Sequence, residues 1–200
     1  VNRVKLRTGN SAAWVTCPAS RAPLGTPVGQ IEISPHPSSW RRKIIGTIRA
    51  SYGKAAHAEE WLARSEQLIA HDEPMIAAYN AHAIRAIAAS LGIESRVVLE
   101  SELLPADHAA TGSERLAALC RAVGASAYLA GDGADGYEDR SVYASAGVSL
   151  LRMGYEHPRY DQAGLDFLAG LSVLDALLHI GTERTRDLVH RRVVGGRGRG

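Results

Sequence analysis

Residues 155–162 gather the side chains best suited to chemistry: Tyr155, Glu156, His157, Arg159, Tyr160, Asp161 and Gln162, with Pro158 stiffening the segment. An imidazole titrates near neutral pH, so His157 is a candidate general base toward an amine or hydroxyl, with Glu156 or Asp161 to orient it. The same residues also read as a polar surface loop whose tyrosines pack on a sheet. Downstream, Leu171, Leu174, Leu177, Leu178 and Ile180 recur at helical spacing, and Asp175 falls among them one turn after Ser172. An acid inside an apolar helix must be paired or hydrogen-bonded. Asp175 is therefore the second catalytic candidate, or else a helix-face acid bonded to nearby backbone amides.

Gly131 and Gly133, in the run Gly131-Asp132-Gly133-Ala134-Asp135-Gly136, follow an expected strand and precede an expected helix. Glycine lets backbone approach a ligand closely, and successive amides can hold an anion. The run is not the dinucleotide fingerprint, and no phosphate-loop lysine follows it. A plain tight turn is the other reading. Tyr137, Tyr155, Tyr160, Gln162 and Arg115 complete the candidate substrate-binding residues. Trp40, Arg41, Arg42 and Lys43 suit either an anionic substrate or a solvated helix face with a buried tryptophan. Cys17 and Cys120 stand alone, without a CxxC or a Cys/His cluster, so no metal site is expected. His36, His71, His82, His108, His179 and His190 show no ligand spacing and read as structural or exposed.

These side chains need a scaffold, and the periodicity of the chain supplies one. Residues 4–7 and 13–17 alternate around a Gly9-Asn10 turn and form an expected β-hairpin. A third strand is expected at 28–33, stopped by Pro35-His36-Pro37. Helices follow from Ser38 or Ser39 onward, over 55–70, and from Asp72 and Pro74 to Leu91. After Gly92 the pattern alternates: strand 95–100, helix 113–123, strand 126–130, helix 138–146, strand 148–153. That order predicts parallel βαβ units in one sheet with helices on both faces. Ligands of such sheets sit beyond the carboxyl ends of the strands, where Gly131 and Tyr155 both fall. On this reading His157 lies within reach of a pocket bordered by Gly131 and Gly133. The fold class is thus α/β: a parallel βαβ sheet in the C-terminal half, an N-terminal antiparallel hairpin and a helical middle. Residues 1–192 form a single domain, with a last helix extending through 184–192, and the Gly/Arg-rich residues 193–200 form a disordered tail.

With 200 residues and a hydrophobic fraction of 46%, the chain can bury a full core. A formal net charge of +2 implies no global attraction to nucleic acid. Arginine replaces lysine through most of the body, which fits a GC-rich genome better than phosphate binding. No window approaches the roughly 20 apolar residues of a membrane span. The first residues carry no apolar leader core, so the expected location is the cytoplasm.

The segments Asn2-Arg3-Val4-Lys5-Leu6, Trp14-Val15-Thr16-Cys17-Pro18, Trp40-Arg41-Arg42-Lys43, Arg115-Leu116 and Tyr128-Leu129-Ala130-Gly131 occur in the same order as in WbqC-like proteins. Tyr155-Glu156-His157-Pro158-Arg159-Tyr160-Asp161-Gln162 and Leu171-Ser172-Val173-Leu174-Asp175 continue that order. The chain resembles this family over roughly residues 2–183. The resemblance implies a bacterial protein that builds or decorates a polysaccharide such as O-antigen, or a natural product. Its implied reaction is transfer of an acyl or aminoacyl group onto an amino sugar or similar amine, from a small-molecule donor, with or without ATP. A non-catalytic binding or scaffold subunit of the same pathway is the other reading. The family usually carries a strand with a His-Gln-Pro and Leu-Pro-Trp type motif ahead of the Asn2-Arg3 segment. That piece does not precede Val1 here, and the chain is expected to be an incomplete fold. The sequence assigns no cofactor, donor, acceptor or oligomeric state.

Overall fold

The computed structural model describes residues 2–105, 112–131, 133 and 138–193, with side chains through residue 190. Two compact units emerge: Val1–Ser95 with His157–Arg191, and Arg96–Glu156 with Arg192–Gly200.

The first unit begins with the expected hairpin. Strands β1 (Arg3–Thr8) and β2 (Ser11–Thr16) pair antiparallel, with Lys5 opposite Trp14 and Leu6 opposite Ala13. Gly9 at φ 60° makes the turn, a conformation that glycine adopts without penalty. Alternation sends Leu6 into the core at 1% exposure. Helix α1 (Trp40–Tyr52) repeats its buried face at Trp40, Ile48 and Tyr52. Helices α2 (Ala58–Ala70) and α3 (Ile76–Ser90) follow. Leu6, Ile48, Tyr52, Trp61 and Leu91 pack with Leu177 and Leu178 of α6 (Val173–Val193). This last helix is broken at Gly181, whose φ of 77° and ψ of 175° are not helical.

Residues 28–33 do not form the expected strand. A 3₁₀ turn occupies Val28–Gln30, and only isolated bridges follow, Glu32 to Met75 and Ile33 to Ala19. Proline and glycine at 27 and 29 break the run before a ladder can start.

The second unit contains α4 (Gly112–Ala122), β3 (Ala127–Ala130), α5 (Arg140–Ser145) and β4 (Ser149–Arg152). Strands β3 and β4 pair in parallel, Leu129 opposite Leu151, as the βαβ pattern predicts. Tyr128 and Leu150 share one face and pack on Ala117, Cys120 and Tyr143 of α4 and α5. On the other face, Leu129 and Leu151 are 53% and 50% exposed, so helices do not cover both faces among the described residues. The expected strand at 95–100 is also absent. Glu102 accepts the Leu99 amide hydrogen at 3.2 Å, and the chain turns into a 3₁₀ segment, Glu100–Glu102. The proposed tail lies outside the described residues from 194 onward. No described helix is long and apolar enough to cross a membrane.

Candidate functional site

The polar residues of the first unit converge on one carboxylate. Asp175 occupies the first turn of α6, where an acid complements the positive end of the helix dipole. The Ser172 amide donates to the Lys5 carbonyl at 2.9 Å, so the start of α6 is tied to β1. This brings Asp175 beside Arg7 and Tyr52, far away in sequence.

Asp175 is fully buried, yet its oxygens are well served. Tyr52 donates to Oδ1 at 2.8 Å, while Tyr160 and the Gln162 amide donate to Oδ2 at 2.7 and 3.0 Å. His179, one turn later on α6, brings Nδ1 to 2.9 Å from the Asp175 carbonyl and 3.4 Å from Oδ2. Gln162 spends its whole hydrogen-bonding capacity. Its Nε2 also donates to the Leu168 carbonyl at 3.1 Å. Its Oε1 accepts from the Leu168 amide at 2.8 Å and from Arg7 at 2.7 Å. Arg7 also donates to the carbonyls of Asp166 and Gly9, and its own amide donates to the Tyr52 hydroxyl at 2.8 Å. A buried cation and a buried anion are thus joined through a glutamine and a tyrosine.

Burial alone would raise the Asp175 pKa, but hydrogen bonds from His179, Tyr160 and Tyr52 outweigh it and hold the carboxyl below its usual range. The hydrogen bond to Asp175 raises His179 above its ordinary value against the opposing effect of burial. Tyr52 and Tyr160 are both pushed far up, first by burial and then by the adjacent carboxylate. They stay protonated and act as donors.

Both partners of His179 Nδ1 are acceptors, so Nδ1 carries a proton. In the neutral ring the lone pair then sits on Nε2, which has no hydrogen-bond partner among the described residues. The side chain is 8% exposed, and its ring meets Tyr52 edge-on at 5.4 Å. An acid that fixes the tautomer and orientation of an imidazole is the arrangement that makes histidine a general base.

Of the residues expected to act, the structure brings Asp175, Tyr160 and Gln162 together. His157 is exposed and packs beside Gly170, whose Cβ position lies 3.9 Å from the ring. Asp161 accepts the Gly164 amide hydrogen at 2.8 Å and closes a turn. Gly131, Gly133, Tyr155 and Arg115 belong to the second unit, whereas His157 belongs to the first. Gly131 and Gly133 are exposed with open space beside them, Tyr155 is exposed, and Arg115 pairs with Glu100. Tyr137, and His108 among the histidines, lie outside the described residues. Trp40 is buried, with Arg41 over its ring and donating to the carbonyls of Ile69 and His71, so that pair supports the fold. Sequence reasoning missed Arg7, Tyr52 and His179. The i, i+4 spacing of Asp175 and His179 was the available signal. Nothing local marked Arg7 or Tyr52. No group of three or more possible metal ligands occurs among the described residues.

A mixed α/β chain with a buried acid–imidazole network is the class that fold and site define. The chain belongs to the WbqC-like protein family, whose model matches residues 1–187. It is also similar to the uncharacterized protein Rv1507c of Mycobacterium tuberculosis, 26% identical over 187 residues, which are 91% of this chain and 78% of the relative. No solved structure matches it.

Proposed function

We propose that this protein transfers an acyl or aminoacyl group onto an amine, such as that of an amino sugar, in bacterial polysaccharide or natural-product biosynthesis. In this reading the base is His179 rather than His157. An ammonium must lose a proton before its nitrogen attacks a carbonyl, and an oriented imidazole is matched to that transfer near neutral pH. The observation that carries the reading is the His179 ring held through Nδ1 by Asp175, with Nε2 left as the basic nitrogen. His157 serves as a substrate contact on the loop that supplies Tyr160 and Gln162. The protein acts in the cytoplasm.

The test is mass-spectrometric detection of an acylated amino sugar after incubation with an activated acyl or aminoacyl donor. Turnover should rise with pH through the His179 titration and disappear in His179→Gln. A second reading, a non-catalytic binding subunit, draws on the full burial of Asp175, whose oxygens are all taken by protein donors. Under it, His179→Gln alters stability, and no donor–acceptor pair gives product.

A further inference from the structure

The solvent face of the hairpin carries a second constellation, unrelated to the buried network. Arg3 is exposed and Lys5 half-buried on β1, and Lys5 stands directly opposite Trp14 of β2. The Arg3 guanidinium carbon lies 4.6 Å and the Lys5 ammonium 5.0 Å from the centre of the Trp14 ring. Trp14 is 53% exposed, whereas Trp40 and Trp61 are 5% and 1% exposed. The other two cation–indole pairs are held by further partners. Arg41 over Trp40 donates to two carbonyls, and Arg64 over Trp61 pairs with Glu60. Among the described residues, no carboxylate pairs with Arg3 or Lys5.

We propose that this face, formed by Arg3, Lys5 and Trp14, docks the protein on an anionic lipid bilayer surface. Two positive charges without protein counter-charges complement an anionic surface, and a planar array of lipid headgroups meets both at once. A half-exposed indole beside two cations is the chemistry that settles at the headgroup level of an anionic membrane. The contact is weak and reversible, worth roughly fivefold in partitioning per cation, and salt screens it over about 10 Å at 0.1 M. Docking leaves Asp175 and His179 untouched and is independent of the transferase reading.

Trp14 is its own reporter, because the other two tryptophans are buried. The full chain is titrated with phosphatidylglycerol-containing vesicles and with pure phosphatidylcholine vesicles, and tryptophan emission and co-sedimentation are followed. The expected result is a blue shift and sedimentation with the anionic vesicles alone, both reversed by salt. In R3Q/K5Q the partition coefficient should fall roughly 25-fold, about fivefold for each cation. An absence of any shift with anionic vesicles at low salt, or equal binding to neutral ones, overturns the proposal. A shift elicited by a single-stranded oligonucleotide but not by vesicles also overturns it, assigning the face to nucleic acid.

Discussion

At the scale of the residue, Asp175 is the group on which the first unit depends. Removing its charge leaves His179 without its carboxylate partner and leaves the Tyr52 and Tyr160 hydroxyls facing an amide. Loss of one partner from a buried charged network costs about 3–5 kcal/mol. Asp175→Asn should therefore lower the urea midpoint by an amount in that range. Tyr160→Phe, which deletes one hydrogen bond to a charged group, should cost about 1.5–3 kcal/mol. Equal stability of D175N and the parent protein would contradict the network's role. The pH dependence follows from the same atoms. His179 binds its proton more tightly when folded than its ordinary 6.5 implies. Its stabilisation is fully present below about pH 6.5 and is lost as pH rises through the raised folded value. Asp175, held below its ordinary 3.8, stabilises above that pH and ceases to do so as pH falls through the lowered value. Tm measured against pH should thus decline on the alkaline side in the parent protein, and that decline should vanish in His179→Asn. The sequence revealed Asp175, Tyr160 and Gln162 because a buried acid needs partners and the loop was visibly polar. Arg7 and Tyr52 stayed hidden because what buries them is the docking of a segment roughly 150 and 120 residues away.

At the scale of the element, the last helix shows how a local signal and a tertiary contact combine. Gly181 follows the apolar run that ends at Ile180, but α6 resumes after it. The break frees the Leu178 carbonyl, which accepts the His57 amide hydrogen at 3.0 Å. The His57 ring fills the space beside Gly181, within 2.5–2.8 Å of the position a Cβ would take. The backbone conformation, φ 77° and ψ 175°, is one that only glycine adopts readily. Gly181→Ala should cost about 1–3 kcal/mol from backbone strain alone, and more from the clash with His57. Adding His57→Ala should recover only the steric part, a non-additivity read by a double-mutant cycle in urea. Strictly additive losses would show that His57 does not crowd this site. The strand expected at 95–100 failed for a different reason. Its side-chain pattern was adequate, but strand structure needs a partner ladder, and a single sequence does not reveal whether one arrives.

At the scale of the whole molecule, the two units differ in how much they bury. The first packs Trp61, Tyr52, Leu6, Leu177 and Leu178 to near-complete exclusion of solvent. The core of the second is centred on Ala117, Cys120, Tyr143 and Val148, beneath a two-stranded sheet whose other face leaves Leu129 and Leu151 half exposed. A two-stranded sheet is marginal without further cover, and a smaller buried apolar area gives less driving force. Local unfolding free energy is therefore expected to be lower in the second unit. The chain carries its own probes, because Cys17 and Cys120 are both free and buried, one in each unit. Burial raises both thiol pKa values, so neither reacts readily until its surroundings open. Under brief exposure to a thiol reagent at increasing urea, Cys120 should be modified at lower denaturant than Cys17. Tryptophan fluorescence, whose three reporters all lie in the first unit, should follow Cys17, while far-ultraviolet circular dichroism should begin to change with Cys120. Coincident labelling of both thiols, with coincident optical transitions, would mean that the units unfold as one cooperative body and that the smaller core draws its stability from the larger.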